Sequence, residues 1–532
     1  MYAKVNCACI DGIDGKMIEV EVDVSNGLPQ INIVGLPDSA VRESSERVRS
    51  AVKNCKFTFP MERITVNLAP ADVRKEGASF DLAIAAGILC ASGQLSVPLL
   101  DQTLILGELA LNGEIRPVPG VLSMADQAVK QGIRRIILPV ANAEEAGLIE
   151  GIALFPLHHL EELKELGTID KEPAQLINNI NNKWGEYSNR LLEREPFTDP
   201  PTEEKDSKKD AQYLDYSDVI GQNQAKRALM IAAAGMHNLL FIGPPGSGKT
   251  MLIRRLPTIL PELTDSEALE VMKVYSVSGK LHDRTRLLRQ RPFRSPHHTV
   301  SGAGLIGGGS VPKPGEVTLA HRGVLFLDEL PEFTRGVLEV MRQPLEDQRV
   351  IIGRARAVTR FPADFMLAAS MNPCPCGHLG SDSGGAPCTC SSAKIQQYRS
   401  RISGPLLDRI DLHVEVPRVS SLAAAGRPLG SLEMRDRVLR AQSRQRARYA
   451  GTGIVFNGEL AGRMLRRHCR LTSEGERLLE QSFAALQLSL RAYDRILRIA
   501  RTIADLEDSD DILTEHAAEA VQYRNLDKKF IP

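Results

Sequence analysis

The strongest chemical signal is the stretch Gly243-Pro244-Pro245-Gly246-Ser247-Gly248-Lys249-Thr250, which follows the apolar run Leu239-Leu240-Phe241-Ile242 and matches G-x-x-x-x-G-K-[ST] in full. Glycines in this pattern let successive backbone N–H groups curl around phosphate oxygens at the start of a helix. Lys249 then reaches the β- and γ-phosphates of ATP, and the Thr250 hydroxyl ligates Mg²⁺. Further along, Gly323-Val324-Leu325-Phe326-Leu327-Asp328-Glu329 is an apolar strand ending in two carboxylates. Asp328 is expected to hold Mg²⁺ through water, and Glu329 to polarise an attacking water as general base. A third apolar strand, Phe365 to Met371, delivers Asn372, which would hydrogen-bond the γ-phosphate or orient the water.

A second constellation is made of sulfur. Of nine cysteines, Cys374, Cys376, Cys388 and Cys390 fall within seventeen residues, separated by the Gly/Ser-rich loop Gly377–Pro387. Two close thiolate pairs on such a loop suit a structural Zn²⁺; reduced thiols and a redox or iron–sulfur role stay open, and His378 is a substitute ligand. Such a metal would stiffen the loop behind Asn372 rather than do chemistry. Cys7, Cys9, Cys55, Cys90 and Cys469 read as core or incidental thiols.

Basic residues are the third signal. Arg349-Val350-Ile351-Ile352-Gly353-Arg354-Ala355-Arg356-Ala357-Val358-Thr359-Arg360 reads as a hairpin tipped by Gly353, with Arg354 and Arg356 placed to track phosphates. Arg284 to Arg294 carries five arginines in eleven residues, and six more lie between 435 and 448. Solvated helix faces or intersubunit salt bridges are the alternative for each run. No aromatic residues interleave with the tip arginines, so neither base stacking nor sequence-specific reading is indicated.

These residues need elements to hold them. A chain of 532 residues implies about three domains, and 43% hydrophobic with 25% charged residues describes an ordinary globular protein. No apolar stretch approaches the roughly 20 residues needed to cross a bilayer, and Met1–Asn6 lacks a basic-then-apolar leader, so the expectation is a cytoplasmic protein away from membranes. Zero net charge hides asymmetry, with 15 basic against 22 acidic residues in 1–168 but 25 against 19 in 213–418 and 19 against 15 in 419–532. That excess in the back half suits a polyanion partner. Alternation over Ile18–Val24 and Gln30–Gly35 predicts two strands joined as a hairpin through Asn26-Gly27. Helices are expected over 39–53, 82–91 and 123–131, with strands at 64–68, 104–109 and 135–138. Residues 169–212 are polar, Pro-bearing and charged, a linker with a short helix around 186–195. From 213 to about 417 strand and helix patterns alternate, which predicts an α/β fold with a parallel sheet and crossover helices. From 420 onward the pattern is helical, over 435–448, 472–488, 491–506 and 514–523.

The glycine loop, the Asp-Glu strand and Asn372, in that order, resemble an AAA+ ATPase. Arg291-Pro292-Phe293-Arg294-Ser295-Pro296-His297-His298, Gly307-Gly308-Gly309, Pro314-Gly315-Glu316, Ala320-His321-Arg322-Gly323, Asn372-Pro373-Cys374-Pro375-Cys376-Gly377 and Leu406-Leu407-Asp408-Arg409-Ile410-Asp411 resemble the magnesium-chelatase-like branch, and the layout is similar to the YifB/ComM family over nearly the whole chain. Lys75-Glu76-Gly77-Ala78-Ser79 resembles the surroundings of the nucleophilic serine of Lon-type proteases. The lysine base of that dyad would fall at Leu122, so Ser79 is expected to be inert; the same fold without the dyad resembles the domain appended to the recombination ATPase RadA.

The resemblance implies four segments: 1–168, a Lon-protease-like (S5-like) α+β domain without activity; 169–212, the linker; 213–418, the AAA+ domain; and 419–532, a C-terminal helical lid. It further implies that Arg409 is an arginine finger given to a neighbouring subunit, that Arg491 in Ser489–Arg495 is a second sensor, that Asp218–Gln222 lies against adenine, and that the Arg349–Arg360 hairpin enters the pore of a ring. The implied function is a hexameric ATPase that remodels single-stranded or branched DNA, a branch-migration motor acting in recombination during natural transformation. The alternatives are an ATP-driven metal-chelatase-type subunit and an ATP-switched scaffold.

Overall fold

Alternation dictates the first sheet. In the computed structural model, which describes residues 1–97, 99–166, 214–281, 286–309, 312–354, 357–380, 387–418, 428–486 and 488–524, Ile18, Val20, Val22 and Val24 are buried while the acidic residues between them face outward. These described residues form two compact units: one holds those up to 166 together with the segment Asp265–Leu288, the other holds the remainder. The expected linker 169–212 and its helix lie outside the described residues.

The first unit is built on β1 (Tyr2–Asp11), β2 (Asp14–Ser25), β3 (Gln30–Val34), β4 (Arg63–Ala69), β5 (Thr103–Ile105), β8 (Arg135–Pro139) and β9 (Ala153–Leu157), in the order β3-β4-β2-β1-β5-β8-β9, with β6 (Glu108–Leu109) and β7 (Ile115–Arg116) as a separate ladder. The tight hairpin is β1–β2, closed by Gly12-Ile13 with Gly12 at φ +69°. The expected pairing across Asn26-Gly27 does not form: β4 lies between β2 and β3, antiparallel to the first and parallel to the second. The helix Ser39–Asn54 makes this possible, carrying the chain over the sheet so that a later strand takes the free edge of β2. Asp38 caps that helix, its carboxylate accepting from the Val41 N–H at 2.8 Å.

The helix Asp81–Ala91 is buried along almost its whole length. Its one charge, Asp81, accepts from Arg47 Nε at 2.7 Å, from Arg47 Nη2 at 3.1 Å, from the Leu109 N–H at 3.2 Å and from the Ser44 hydroxyl. The helix Asp265–Val277 falls within the expected 213–418 segment but packs in this unit against the helix Val121–Lys130, with Lys273 Nζ 2.5 Å from Asp126 and the Ser276 hydroxyl donating to Glu145.

The second unit is centred on an all-parallel sheet of β10 (Leu239–Ile242), β11 (Phe293–Arg294), β14 (Val324–Leu327), β17 (Met366–Met371) and β18 (Leu412–Glu415), ordered β11-β14-β17-β10-β18. Two small antiparallel ladders accompany it: β12 (Gly307–Gly308) with β13 (Lys313–Pro314), and β15 (Arg349–Arg354) with β16 (Ala357–Pro362). The second is the expected hairpin; the side chain of Arg354 and the whole of Arg356 lie outside the described residues. The helices Ser431–Arg448, Ser473–Leu486, Leu490–Leu506 and Thr514–Gln522 match the expected ones closely, and the alanine-rich helix Asn223–Gly235, not anticipated, packs with Ser431–Arg448 and Leu490–Leu506 in one core.

Asp81→Ala should destabilise the first unit by on the order of 3 kcal/mol, because it leaves the half-buried Arg47 guanidinium, the Leu109 N–H and the Ser44 hydroxyl without their shared buried acceptor, whereas Glu43→Ala, on the exposed face of the helix Ser39–Asn54, should cost less than about 0.5 kcal/mol. Urea denaturation of the full chain checks the contrast; equal losses would show the ion pair to be dispensable.

Candidate active site

Register places the chemistry. Ile242 lies opposite Met371 and Leu327 opposite Ala369, so the residues that follow β10, β14 and β17 emerge together at one edge of the sheet. They are Gly243, Asp328 and Asn372. The loop after β10 needs its glycines for separate reasons: a Cβ on Gly243 would sit 2.2 Å from the Val416 carbonyl oxygen, while Gly246 and Gly248 hold φ of +75° and +91°.

Lys249 is only 8% exposed, and its ammonium donates to the carbonyls of Gly243 at 2.7 Å and Pro244 at 2.9 Å and to Asn372 Oδ1 at 3.3 Å. Burial lowers its pKa below the ordinary lysine value, and the Asp328 and Glu329 carboxylates pull it part of the way back. Thr250 Oγ1 donates to Asp328 Oδ2 at 2.9 Å; the other oxygen of Asp328 accepts from the Ser370 hydroxyl and from the Glu329 N–H at 3.1 Å. Glu329 sits in the left-handed region at φ +53°. The Ser247 hydroxyl is buried without a partner. An orphaned donor, glycines that keep side chains out, and a threonine–aspartate pair at the loop's end are what a nucleoside triphosphate with Mg²⁺ requires, so the residues fit both.

The segment expected against adenine is held from below. Lys226, 1% exposed, donates to the carbonyls of Tyr216 at 2.8 Å, Val219 at 2.8 Å and Leu429 at 3.3 Å. The Tyr216 N–H donates to Ser431 Oγ at 3.0 Å, the Ser431 N–H to Asp215 at 3.1 Å, and Gln222 Nε2 to Ser247 O at 3.2 Å.

The structure thus brings together Lys249, Thr250, Asp328, Glu329 and Asn372. Arg409 and Arg491 make no hydrogen bond or ion pair to that group among the described residues. Arg409 pairs with Glu346, and its hydrogen bond, with the charges of Arg491 and Arg342 added, holds the Glu346 carboxyl below the usual carboxylate range. The four cysteines converge, their sulfurs all within 4.8 Å of one another. Of the other five, Cys7, Cys9, Cys55 and Cys469 are buried thiols. Ser79 is tied through its carbonyl, to the Gly107 N–H at 3.1 Å, and Leu122 at the expected base position is fully buried.

Several of the expected phosphate-tracking arginines are engaged within the chain. Arg435 pairs with Glu262, Arg437 with Glu433, Arg444 with Asp510 and Arg448 with Asp505. In the 284–294 run, Arg284 lies outside the described residues, Arg291 donates to the Pro261 and Arg322 carbonyls, and Arg294 grips Glu316. Sequence reasoning also passed over three positioning residues. Ser370 is the lone hydroxyl in the apolar strand two before Asn372. Lys226 is the lone charge on the buried face of its helix. Asn238, the amide just ahead of β10, accepts from Leu367 N–H at 2.8 Å and donates to the Arg409 carbonyl at 2.9 Å.

Sheet, glycine loop and paired acids define a P-loop ATPase of the AAA+ class. Family profiles agree: "Magnesium chelatase, subunit ChlI" matches residues 215–424, "Subunit ChlI of Mg-chelatase" 20–142 and "Magnesium chelatase, subunit ChlI C-terminal" 429–524. The chain is 42% identical over 525 residues to the protein YifB of Escherichia coli K12, covering 98% of this chain and 96% of that one. It is 44% identical over 518 residues to competence protein ComM of Haemophilus influenzae, covering 96% and 95%. Lon protease 2 of Bacillus subtilis is 31% identical over 150 residues, about a quarter (26%) of each chain. The chain belongs to the YifB/ComM family of magnesium-chelatase-like AAA+ ATPases.

Ser370→Ala deletes a hydroxyl hydrogen bond to an ionised carboxylate, an interaction worth about 1.5–3 kcal/mol. The Mg²⁺ concentration needed for half-maximal ATP turnover should rise roughly tenfold, and the chain should lose a measurable part of its thermal stability. An unchanged Mg²⁺ titration would remove Ser370 from the positioning of Asp328.

Proposed function

We propose that this chain is a ring-forming, hexameric motor of the cytoplasm that couples ATP hydrolysis to movement on single-stranded or branched DNA, migrating branches in recombination intermediates. In this reading Lys249 binds the β- and γ-phosphates, and Thr250 and Asp328 hold Mg²⁺, which supplies charge neutralisation to the phosphates. Glu329 takes the proton of the attacking water, and Asn372 orients that water or the γ-phosphate. Arg409 leaves Glu346 to reach a neighbouring subunit's nucleotide, and Arg491 senses nucleotide from the helical lid. The observation that carries the ATPase half is the contact of Lys249 with Asn372 beside the Thr250–Asp328 pair. The DNA half is supported by the β15–β16 hairpin, which interrupts the chain between β14 and β17 with arginines on both strands, and by the competence name of one relative.

A chelatase-type reading is favoured by the ChlI profiles. ATP hydrolysis with and without single-stranded and forked DNA separates the two: the motor is stimulated by DNA, whereas a chelatase subunit or a nucleotide-switched scaffold is indifferent to it.

Glu329→Gln should bind ATP with near-parental affinity yet lose roughly 10²–10⁴-fold in turnover; single-turnover hydrolysis at the parental rate would assign the base elsewhere. Replacing Arg354 and Arg356 together with Ala should leave basal ATPase and assembly intact. DNA stimulation should collapse, and the salt dependence of DNA binding should flatten by about one log–log unit per lost contact. A double variant with the parental slope, still stimulated by DNA, would discard the hairpin as the tracking element.

A further inference from the structure

The four-cysteine cluster has the geometry of a closed metal site. Cys374 Sγ is 3.3 Å from Cys376 Sγ and 3.7 Å from Cys388 Sγ, and Cys376 and Cys388 are 3.6 Å apart. Cys390 joins them with every sulfur within 4.8 Å of the others. A tetrahedral ion with metal–sulfur bonds of about 2.3 Å places its thiolates about 3.8 Å apart. The separations among Cys374, Cys376 and Cys388 fall just inside that spacing and none of the four sulfurs is more than 4.8 Å from another, which leaves room for one ion and not for an iron–sulfur cluster and is too wide for a disulfide. Soft sulfur donors in a tetrahedron select Zn²⁺ over the hard cations that the carboxylates of the ATP site accept.

The cluster is wired into the nucleotide pocket at both ends. Cys374 follows Asn372-Pro373 directly from β17. The turn Cys374–Gly377, closed by the Gly377 N–H on the Cys374 carbonyl at 3.0 Å, lies flush on the glycine loop: a Cβ on Gly377 would come within 2.5 Å of Pro245 Cδ. Beyond Cys390 the helix Ser392–Arg399 returns to the same place, where Arg399 donates through Nε at 3.3 Å and Nη2 at 3.2 Å to the Pro373 carbonyl. The ends of the thiol loop therefore meet at Pro373, one residue from the amide that touches Lys249.

We infer that Cys374, Cys376, Cys388 and Cys390 bind one structural Zn²⁺, and that the ion clamps this loop onto Pro245 and behind Asn372, so that nucleotide affinity depends on zinc occupancy. The zinc site stands on the sulfur geometry alone; the clamp rests on the reading of Gly243–Thr250 as the ATP site. Metal binding to the four thiolates would tie the turn Cys374–Gly377 to the stretch leading into the helix Ser392–Arg399 before the nucleotide arrives.

The full chain, purified under reduction without chelators, should contain about one zinc per chain by elemental analysis. Titration with a mercurial should release that zinc to a colorimetric indicator, and Co²⁺ exchange should give the visible d–d bands of a tetrahedral thiolate site. Cys388→Ser should lose the metal. Because that variant can misfold, the clamp is read on the parental chain: zinc withdrawn by mercurial and thiol rescue should weaken binding of a fluorescent ATP analogue about tenfold, and zinc re-addition should restore it. Native chain with free, alkylatable thiols and no metal overturns the site. Zinc removal at constant nucleotide affinity overturns the clamp. A zinc-loaded chain that binds no nucleotide at all leaves the metal site standing and overturns the ATP reading together with the clamp.

Discussion

Everything in the candidate site depends on three neighbouring parallel strands ending at the same side of the sheet, β10 and β17 level with each other and β14 two residues short of them. Because β10, β17 and β14 are in register, the glycine loop, the asparagine and the two acids leave the sheet side by side, and no long side chain has to bridge a gap. The buried ammonium of Lys249 shows the force of this constraint. Desolvating a charge is costly unless hydrogen bonds replace water, and here two carbonyls of its own loop and the Asn372 amide do so. A phosphate arriving at the loop exchanges one set of acceptors for a stronger one and meets a lysine already in place.

The C-terminal helices handle charge differently. Asp505, wholly buried, takes hydrogen bonds from Arg448 at 2.8 Å, Arg501 at 3.0 Å and Asn457 Nδ2 at 2.9 Å. Arg227 on the helix Asn223–Gly235 grips Glu519 and Glu507. The Asp505 cluster ties the C-terminal helices to one another, the Arg227 pairs fasten them to the helix Asn223–Gly235, and together they neutralise part of the positive charge that the chain's back half carries. Formal charge along the sequence therefore overstates the field offered to a polyanion, and the hairpin between β14 and β17 becomes the more distinctive basic element.

Legibility followed the range of the interaction. The alternation of Ile18–Val24, the glycine loop and the acids after Leu327 are local patterns, and each emerged where its residues predicted. Asn26-Gly27 misled because a hairpin signal says nothing about a strand arriving from residue 63, and β4 took the edge of β2. The helix Asp265–Val277 was hidden for the same reason: its partners, Asp126 and Glu145, lie far back in the chain. Ser370 and Asn238 are single polar residues beside apolar strands, visible as oddities but without meaning until β14 and β17 were adjacent. The cysteines were legible as a group, whereas the closeness of all four sulfurs depends on the return of the helix Ser392–Arg399 to Pro373.

Lys226 has a mechanical consequence. Its one ammonium joins the carbonyls of Tyr216 and Val219 to that of Leu429, just ahead of the helix Ser431–Arg448, while Ser431 itself holds Tyr216 and Asp215. The strip beside the glycine loop and the root of the first lid helix are thereby one stiff piece. A rotation of that helix would have to drag the Tyr216–Val219 strip with it or break buried hydrogen bonds to a charge, so Lys226 would be the fulcrum of any such movement.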